Sequence, residues 1–340
     1  MHAIPLGEDE CRKARDLAER ARAGNQRAIA RAISLVENGD PLGSVIVRTL
    51  FPFTGHAVRV GITGPPGVGK SSLISQLVKV VRDRGLSVGL ISVDPSSPFT
   101  QGALLGDRIR LAEHFCDPEV FIRSMGTRGH LGGLAENTLQ AALVLDAAGK
   151  DVIFFETVGV GQSEIAVSGI ADTVVLALQP GSGDSIQALK AGIMEIPDII
   201  VVNKADHPQA EAMLDEVTGA LHYRKACEGW QPSVLGTNSR TGNGVPELWK
   251  TIEEHVAYLR DEGLLEERRA KQLQQEVLSL ALQHVQRRLA REASGDPELA
   301  SILARVTSRE IDPLSAVDLI LGSVFDMQLQ QSCEDEPSRL

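Results

Sequence analysis

The residues with the clearest chemistry form a glycine-rich loop: Gly64, Pro65, Pro66, Gly67, Val68, Gly69, Lys70 and Ser71, followed by Ser72. Their order fits G-x-x-x-x-G-K-[ST], in which successive backbone N–H groups surround a polyphosphate. We expect Lys70 to reach the β- and γ-phosphates and the Ser71 hydroxyl to bind Mg²⁺. A chance match within a turn would lack the apolar run 58–63 before the loop and the amphipathic pattern after it.

A second motif, Asn203-Lys204-Ala205-Asp206, directly follows the apolar run 199–202. In an N-K-x-D loop the Asp206 carboxylate can accept hydrogen bonds from the guanine N1–H and 2-amino group, while the Lys204 stem packs on the base. Adenine offers neither donor there and would leave a carboxylate unpaired, which is costly in a partly buried site. The motif therefore predicts GTP and GDP as ligands. The alternative is an ordinary polar loop.

A third loop contains Asn238, Ser239 and Arg240 after the expected strand 233–236. GTPases usually carry a Ser-Ala pair at this point, whose backbone contacts the guanine oxygen. The pair Asn238-Ser239 departs from that pattern, although backbone contacts tolerate a change of side chain. We expect the three residues to contact the nucleotide, but taken alone the loop indicates only a turn.

Acidic residues at the ends of two other expected strands predict the metal site. Glu156 begins a segment that resembles the GTPase D-x-x-G, with Glu in place of Asp, so we expect it to hold Mg²⁺ through a water. The Gly159 N–H would then contact the γ-phosphate. Asp94 and Asp107 could supply further carboxylates for the metal. An N-cap of a helix over 108–114 is an equally good interpretation of Asp107.

The predicted catalytic residues are Lys70, Glu156 and Asp94, which would stabilise charge on the phosphates and the metal. Many GTPases place a water-orienting Gln directly after the glycine of D-x-x-G, but this chain has Val160 there and Gln162 two positions later. The sequence therefore predicts slow intrinsic hydrolysis that depends on a partner or on another side chain.

The composition excludes several classes of protein. The net charge of −11 over 340 residues argues against a nucleic-acid surface, which needs basic residues. No apolar run approaches the ~20 residues that span a membrane. The acidic N-terminus shows no secretory or transit signal, and the four cysteines are scattered. These features predict a cytoplasmic protein with free thiols.

The pattern along the chain predicts an α/β fold, a doubly wound and mainly parallel sheet with helical extensions at both ends. Most of the expected strands are continuous apolar runs, as in sheets that are buried on both faces. The strands are expected at 58–63, 88–93, 120–123, 152–156, 173–178, 198–202 and 233–236. We therefore expect an N-terminal helical extension over 1–56 and a nucleotide-binding domain over 57–260. A C-terminal helical arm over 261–330 and a disordered tail over 331–340 follow.

The C-terminal helix expected over 264–291 has apolar residues on more than one face, such as Leu273 and Val277 on one and Leu278 and Leu282 on another. Such a helix needs a second contact in addition to its own sheet. The contact could lie within the chain, but the pattern favours a homodimer.

The chain resembles the MeaB/ArgK family over about residues 57–259. The resemblance rests on Asp94-Pro95-Ser96-Ser97-Pro98 with Gly106-Asp107-Arg108, on the segment 156–164 (ETVGVGQSE), and on Asn203-Lys204-Ala205-Asp206. It implies a homodimeric P-loop GTPase of the SIMIBI class. It also implies a chaperone that gates cofactor loading of an adenosylcobalamin-dependent acyl-CoA mutase, chiefly methylmalonyl-CoA mutase, and protects it from inactivation.

By the same resemblance, the segment from Gln179 through Asp184 to Lys190 is a switch that relays partner binding to the nucleotide site. The residues themselves indicate only a Gly/Ser-rich loop after a strand, and a loop with no switching role is the alternative. Two other functions stay open. A nickel-inserting SIMIBI GTPase would carry Cys/His ligand clusters, whereas the cysteines and the eight histidines here are scattered. A kinase linked to basic amino-acid transport would need an acceptor-substrate pocket.

Overall fold

The computed structural model describes residues 6–94, 111–126, 134–157, 167–181, 197–222, 229–295 and 297–325. Seven strands form one sheet in the order β3-β2-β4-β1-β5-β6-β7, and every pair is parallel. They are β1 Val58–Thr63, β2 Val88–Asp94, β3 Val120–Gly126, β4 Val152–Thr157, β5 Thr173–Leu178, β6 Ile199–Asn203 and β7 Ser233–Thr237. All seven predicted strands are present, which confirms the doubly wound α/β fold.

Ten α-helices lie within the described residues, and they include the predicted extensions at both ends of the chain. They are α1 Glu8–Arg22, α2 Gln26–Glu37, α3 Pro41–Leu50, α4 Lys70–Asp83, α5 Leu134–Ala147, α6 Ala210–His222, α7 Val245–Asp261, α8 Leu264–Gly295, α9 Pro297–Thr307 and α10 Pro313–Phe325. Of the predicted helix 108–114, the structure describes residues 111–114, which contain one 3₁₀ turn, Ala112–His114.

Local sequence explains where several helices begin. The Asp40 carboxylate accepts a hydrogen bond from the Leu42 N–H at 2.9 Å and Asp312 does the same for Leu314 at 2.9 Å, with proline next to each cap. After β6, the next helix, α6, begins only at Ala210. The preceding Lys204 has a left-handed backbone with φ of 61°, so residues 205–209 form turns before the helix can start.

Helices cover both faces of the sheet, which explains why most of its strand residues are apolar. Every residue of β4, β5 and β6 is buried. On one face, α2, α3 and α5 pack with strand residues such as Phe155 around the buried Ile33. On the other, α4 and α7 enclose Phe154 and Trp249. The two layers fix the strands, and with them the loops at their carboxyl ends.

Two buried carboxylates lie at the amino ends of neighbouring strands, directly before β5 and β6. Asp172 binds Arg59 and Arg269, and Asp198 binds Arg268 and His255. Burial alone would raise the pKa of each aspartate. The hydrogen bonds and positive charges of these partners outweigh it, so both pKa values lie below the ordinary range.

The chain divides into two compact units at Glu276/Val277. The first contains the sheet, the helices α1–α7 and the beginning of α8. In the second, α9 and α10 pack around Leu299, Ile302 and Ala316. The domain boundary at 260/261 and the extent of the arm stay predictions. Among the residues that the structure describes, no helix is both long and apolar enough to cross a membrane.

Candidate nucleotide-binding site

The glycine-rich loop connects the end of the central strand β1 to α4, which begins at Lys70. Two of its glycines are required by close packing as well as by backbone conformation. Gly64 has φ of 138°, and a Cβ there would lie 2.1 Å from the Ala177 carbonyl oxygen. Gly69 has φ of 95°, and its Cβ would lie 2.8 Å from Asn203 Nδ2. The backbone of the loop therefore packs closely against the ends of β5 and β6, and only glycine avoids a clash at these two positions.

Within this loop the side chain of Lys70 is buried and folds back onto the backbone. Its Nζ donates to the carbonyl oxygens of Gly64 at 2.7 Å and Pro65 at 3.1 Å. Pro66 and Gly67 are exposed at the tip, Val68 is buried, and Ser71 and Ser72 lie in the first turn of α4. The cation and the helix N-terminus thus lie at one point, an arrangement suited to binding phosphate.

Glu156, on β4, is held by two hydroxyl groups. Ser71 Oγ donates to Glu156 Oε1 at 2.6 Å, and Ser92 Oγ on β2 donates to Oε2 at 3.1 Å. The structure therefore brings together Ser71 and Glu156, two of the predicted metal residues. Ser92 was not predicted. The sequence alone shows only that Ser92 lies two positions before Asp94, the acid at the end of β2. Its contact with Glu156 could be predicted only if β2 and β4 were known to be neighbours.

Two further hydroxyl groups that were not predicted lie next to Glu156 and the phosphate loop in the sequence. Thr157 Oγ1 donates to Thr63 Oγ1 at 3.0 Å, and both side chains are buried. Thr63 is the last residue of β1 before Gly64, and Thr157 is the last residue of β4 after Glu156. The pair therefore joins the two strands where the phosphate loop and the predicted γ-phosphate segment begin.

Asn203 links the base-binding motif to the phosphate loop. Its Nδ2 donates to the Val68 carbonyl oxygen at 2.7 Å and to Ser239 Oγ at 3.1 Å. Its Oδ1 accepts from the Ser239 N–H at 3.0 Å and from Thr237 Oγ1 at 3.2 Å. One fully buried amide therefore joins three loops that are far apart in the sequence.

The side chains predicted to read the base lie beside this amide and are accessible. Lys204 Nζ donates to the Gly67 carbonyl oxygen at 3.0 Å and also to Gln179 Oε1. Arg240 Nη2 donates to Asp206 Oδ2 at 3.4 Å, and both of these side chains are exposed. A ligand can therefore reach Lys204, Asp206 and Arg240 from solvent.

The third predicted loop is a tight turn. Asn238 Oδ1 accepts from the Arg240 N–H at 3.0 Å and from the Thr241 N–H at 3.2 Å. The turn directs the Ser239 N–H to Asn203. The position of Asn238-Ser239-Arg240 next to the base-reading residues agrees with its predicted place in the site, although its contact with nucleotide stays a prediction.

The other predicted residues fall outside the described residues: Asp107, Gly159, Val160, Asp184 and Lys190, together with the side chain of Asp94. The backbone of Asp94 is described, and it ends β2 next to β4. The metal, γ-phosphate and switch roles of these residues stay predictions.

The fold and the site together define a class of protein. A parallel sheet whose central strand leads into a phosphate loop, with an N-K-x-D loop bonded to it, is a P-loop nucleotide-binding protein of the GTPase class. The sequence matches the family described as "Methylmalonyl Co-A mutase-associated GTPase MeaB" over residues 29–294. The chain therefore belongs to this family, and it is a GTPase that binds guanine nucleotides.

Individual relatives support the assignment. A Pyrococcus horikoshii protein with a GTPase name is 49% identical over 312 residues, which cover 91% of this chain and 98% of the relative. The mouse protein "Methylmalonic aciduria type A homolog, mitochondrial" is 32% identical, and the match covers 88% of this chain and 76% of that protein. A crystal structure of an "LAO/AO transport system kinase" matches with a TM-score of 0.67 and 26% identity, over 94% of this chain and 99% of that one.

Proposed function

We propose that the protein is a GTP-dependent chaperone of an adenosylcobalamin-dependent acyl-CoA mutase, with methylmalonyl-CoA mutase as the first candidate. GTP would gate the loading of the cofactor and protect the mutase from inactivation. The support for the partner is the description of the family and the name of the mouse relative. The sequence features behind the proposal predict a cytoplasmic setting and neither a nucleic-acid nor a membrane partner.

The observation that carries the nucleotide part of this proposal is the hydrogen bonding of Asn203. Its amide contacts both Val68 in the phosphate loop and Ser239 beside the predicted base-reading residues, so it joins the two loops that we propose bind the phosphates and the base. Phosphates would bind at Lys70 and the helix N-terminus, and the base at Lys204 and Asp206. The buried amide of Asn203 fixes the phosphate loop relative to the start of the base-reading loop, which favours one ligand geometry.

Magnesium fits the residues that are present. Mg²⁺ prefers oxygen ligands and retains several waters, and the site offers the Ser71 hydroxyl beside the Glu156 carboxylate at 2.6 Å. We propose that Ser71 binds the ion directly and that Glu156 holds it through a water, with Asp94 and Asp107 as further candidates. The ion would neutralise charge on the phosphates during hydrolysis.

We further propose that hydrolysis is slow until the mutase binds, since Val160 occupies the usual position of the water-orienting Gln. Partner binding would act through the segment from Gln179 through Asp184 to Lys190. Gln179 already contacts Lys204 of the base-reading loop, which offers a physical connection between that segment and the nucleotide.

The deciding experiment measures GTP turnover with and without purified methylmalonyl-CoA mutase. We expect the mutase to bind and to raise turnover at least about tenfold, equivalent to about 1.4 kcal/mol off the barrier. Asp184→Ala and Lys190→Ala should leave basal turnover unchanged and reduce the stimulated rate. If the mutase neither binds nor stimulates, the partner assignment is wrong and the protein is a GTPase with another client.

A second candidate function, a kinase linked to basic amino-acid transport, is favoured by one observation, the similarity of the fold to the "LAO/AO transport system kinase". It predicts phosphate transfer from GTP to a protein acceptor, which labelled γ-phosphate would reveal. Nickel insertion is less well supported. Within the described part of the chain, no group of three or more His, Cys, Asp or Glu could hold a metal ion.

A further inference from the structure

Ser92 lies directly opposite Glu156, because the two are register partners in the parallel pair of β2 and β4. The Ser92 hydroxyl donates to Glu156 Oε2 at 3.1 Å, whereas Ser71 donates to Oε1 at 2.6 Å. All three side chains are buried, with 3%, 4% and 1% of Ser92, Ser71 and Glu156 exposed. Hydroxyls from two separate elements therefore hold the two oxygens of one carboxylate.

The two hydroxyls differ in what positions them. Ser71 lies at the end of the phosphate loop, at the point where a nucleotide and its metal would bind. Ser92 lies within the sheet, where backbone pairing with β3 on one side and β4 on the other fixes its position. Ser92 is thus a partner of Glu156 that does not belong to the phosphate loop.

The length of the glutamate side chain makes this second partner important. Glu has one more rotatable bond than the Asp that GTPases commonly place at this strand end, so more conformational freedom is lost when its carboxylate is fixed. A hydrogen bond from a buried, strand-borne hydroxyl restricts the rotation of the carboxylate. It thereby keeps Oε1 beside Ser71.

We propose that Ser92 is a positioning residue for the Mg²⁺ site of the GTPase. It would act through Glu156 and would not ligate the ion itself, because its hydroxyl holds Oε2 and so keeps Oε1 beside Ser71, where the two residues would hold Mg²⁺. This inference rests on the proposed use of Mg²⁺. Outer partners of metal ligands typically change metal affinity by about 10- to 100-fold when they are removed.

The test compares binding of a fluorescent GDP analogue across a Mg²⁺ titration and in EDTA, using the full chain. In Ser92→Ala we expect the half-saturating Mg²⁺ concentration to rise by about tenfold, at the lower end of the range because Glu156 acts through a water. Affinity for the analogue in EDTA should stay within about twofold, since the contacts of Lys70 and Asn203 are intact.

Two further variants separate positioning from packing. Ser92→Thr retains the hydroxyl and should restore most of the Mg²⁺ affinity. Ser124→Ala removes a hydroxyl from β3 at the residue paired with Ser92, and Ser124 makes no hydrogen bond to Glu156 in the described contacts. It should leave the Mg²⁺ titration unchanged.

The inference is overturned if Ser92→Ala has the same Mg²⁺ requirement as the parent protein, or if it loses affinity equally in EDTA. A parent protein whose GDP affinity does not respond to Mg²⁺ would overturn the proposed metal site and this inference with it. A mutase that fails to bind would refute the chaperone proposal alone and leave the role of Ser92 intact.

Discussion

Arg269 binds Asp172 through two hydrogen bonds, Nε to Oδ1 at 3.0 Å and Nη2 to Oδ2 at 2.6 Å. The preceding residue, Arg268, binds the other buried aspartate, Asp198, through Nη1 and Nη2, both at 3.1 Å. Because these aspartates directly precede β5 and β6, two consecutive residues of α8 fasten the start of that helix to neighbouring strands. Arg268 and Arg269 therefore stabilise the amino ends of β6 and β5 as well as the position of α8.

Asp172→Asn should destabilise the fold by about 3–5 kcal/mol, because it leaves Arg59 and Arg269 buried without a balancing charge. Chemical denaturation at neutral pH measures this loss. Glu267→Gln is the matched control, since it removes an exposed ion pair with Lys271 from the same helix. A loss as small in Asp172→Asn as in the control would show that the buried pair contributes little.

The free energy of unfolding should fall in acid. The pKa values of Asp172 and Asp198 lie below the ordinary 3.8. As the pH falls, the unfolded chain therefore takes up protons before the folded one. This contribution is fully present above about pH 4 and is lost as the pH falls through the folded pKa values. Denaturation curves between about pH 5 and 2 should show a smaller decrease in Asp172→Asn than in the parent protein.

The sequence predicted all seven strands because most of them are continuous apolar runs in a sheet that is covered on both faces. It also predicted Lys70 and Ser71 after the phosphate loop, and Glu156 and Asn203 at the ends of β4 and β6, because each belongs to a local motif. Ser92 and the pairing of Asp172 with Arg269 were not predicted. Those contacts depend on which strands are neighbours and on where α8 packs, and no local pattern encodes either.

GTP and GDP should bind at least ~100-fold more tightly than ATP and ADP, since adenine cannot pair with the Asp206 carboxylate. Asp206→Asn should shift the preference toward xanthosine nucleotides. Calorimetry with the four nucleotides and with xanthosine diphosphate checks both statements. Asp215→Asn, an exposed carboxylate on α6, is the control that should leave the preference unchanged. Equal affinity for ATP and GTP in the parent protein would contradict guanine reading by this loop.

Lys70→Ala should abolish detectable GTP hydrolysis, because it removes the cation predicted to bind the β- and γ-phosphates. Lys79→Ala lies on the same helix and removes only a surface pair with Glu113, so its turnover should match the parent. Phosphate release under single-turnover conditions distinguishes the two variants. Near-normal turnover in Lys70→Ala would mean that another group stabilises the phosphate charge.

Replacing exposed leucines of α8 should separate a homodimer into monomers that still bind GDP. Leu278 and Leu282 are 65% and 64% exposed, and Val277 beside them is 64% exposed. A double change of both leucines to Glu would place charges in an apolar contact. Light scattering gives the mass, with Gln274→Glu and Gln275→Glu together as the control. If the double Leu variant retains the mass of a dimer, the interface lies elsewhere.

The close approach of Gly64 to Ala177 bears on how an inactive form of this protein should be made. A Cβ at Gly64 would lie 2.1 Å from a backbone oxygen of the adjacent strand. An alanine there would push the centre of the sheet apart, and it would reduce the yield of soluble protein before it could report on phosphate binding. Loss of activity in a Gly64 variant would therefore measure misfolding. Lys70 is the better residue to change for an inactive protein that keeps its shape, because its side chain can be shortened without moving a strand.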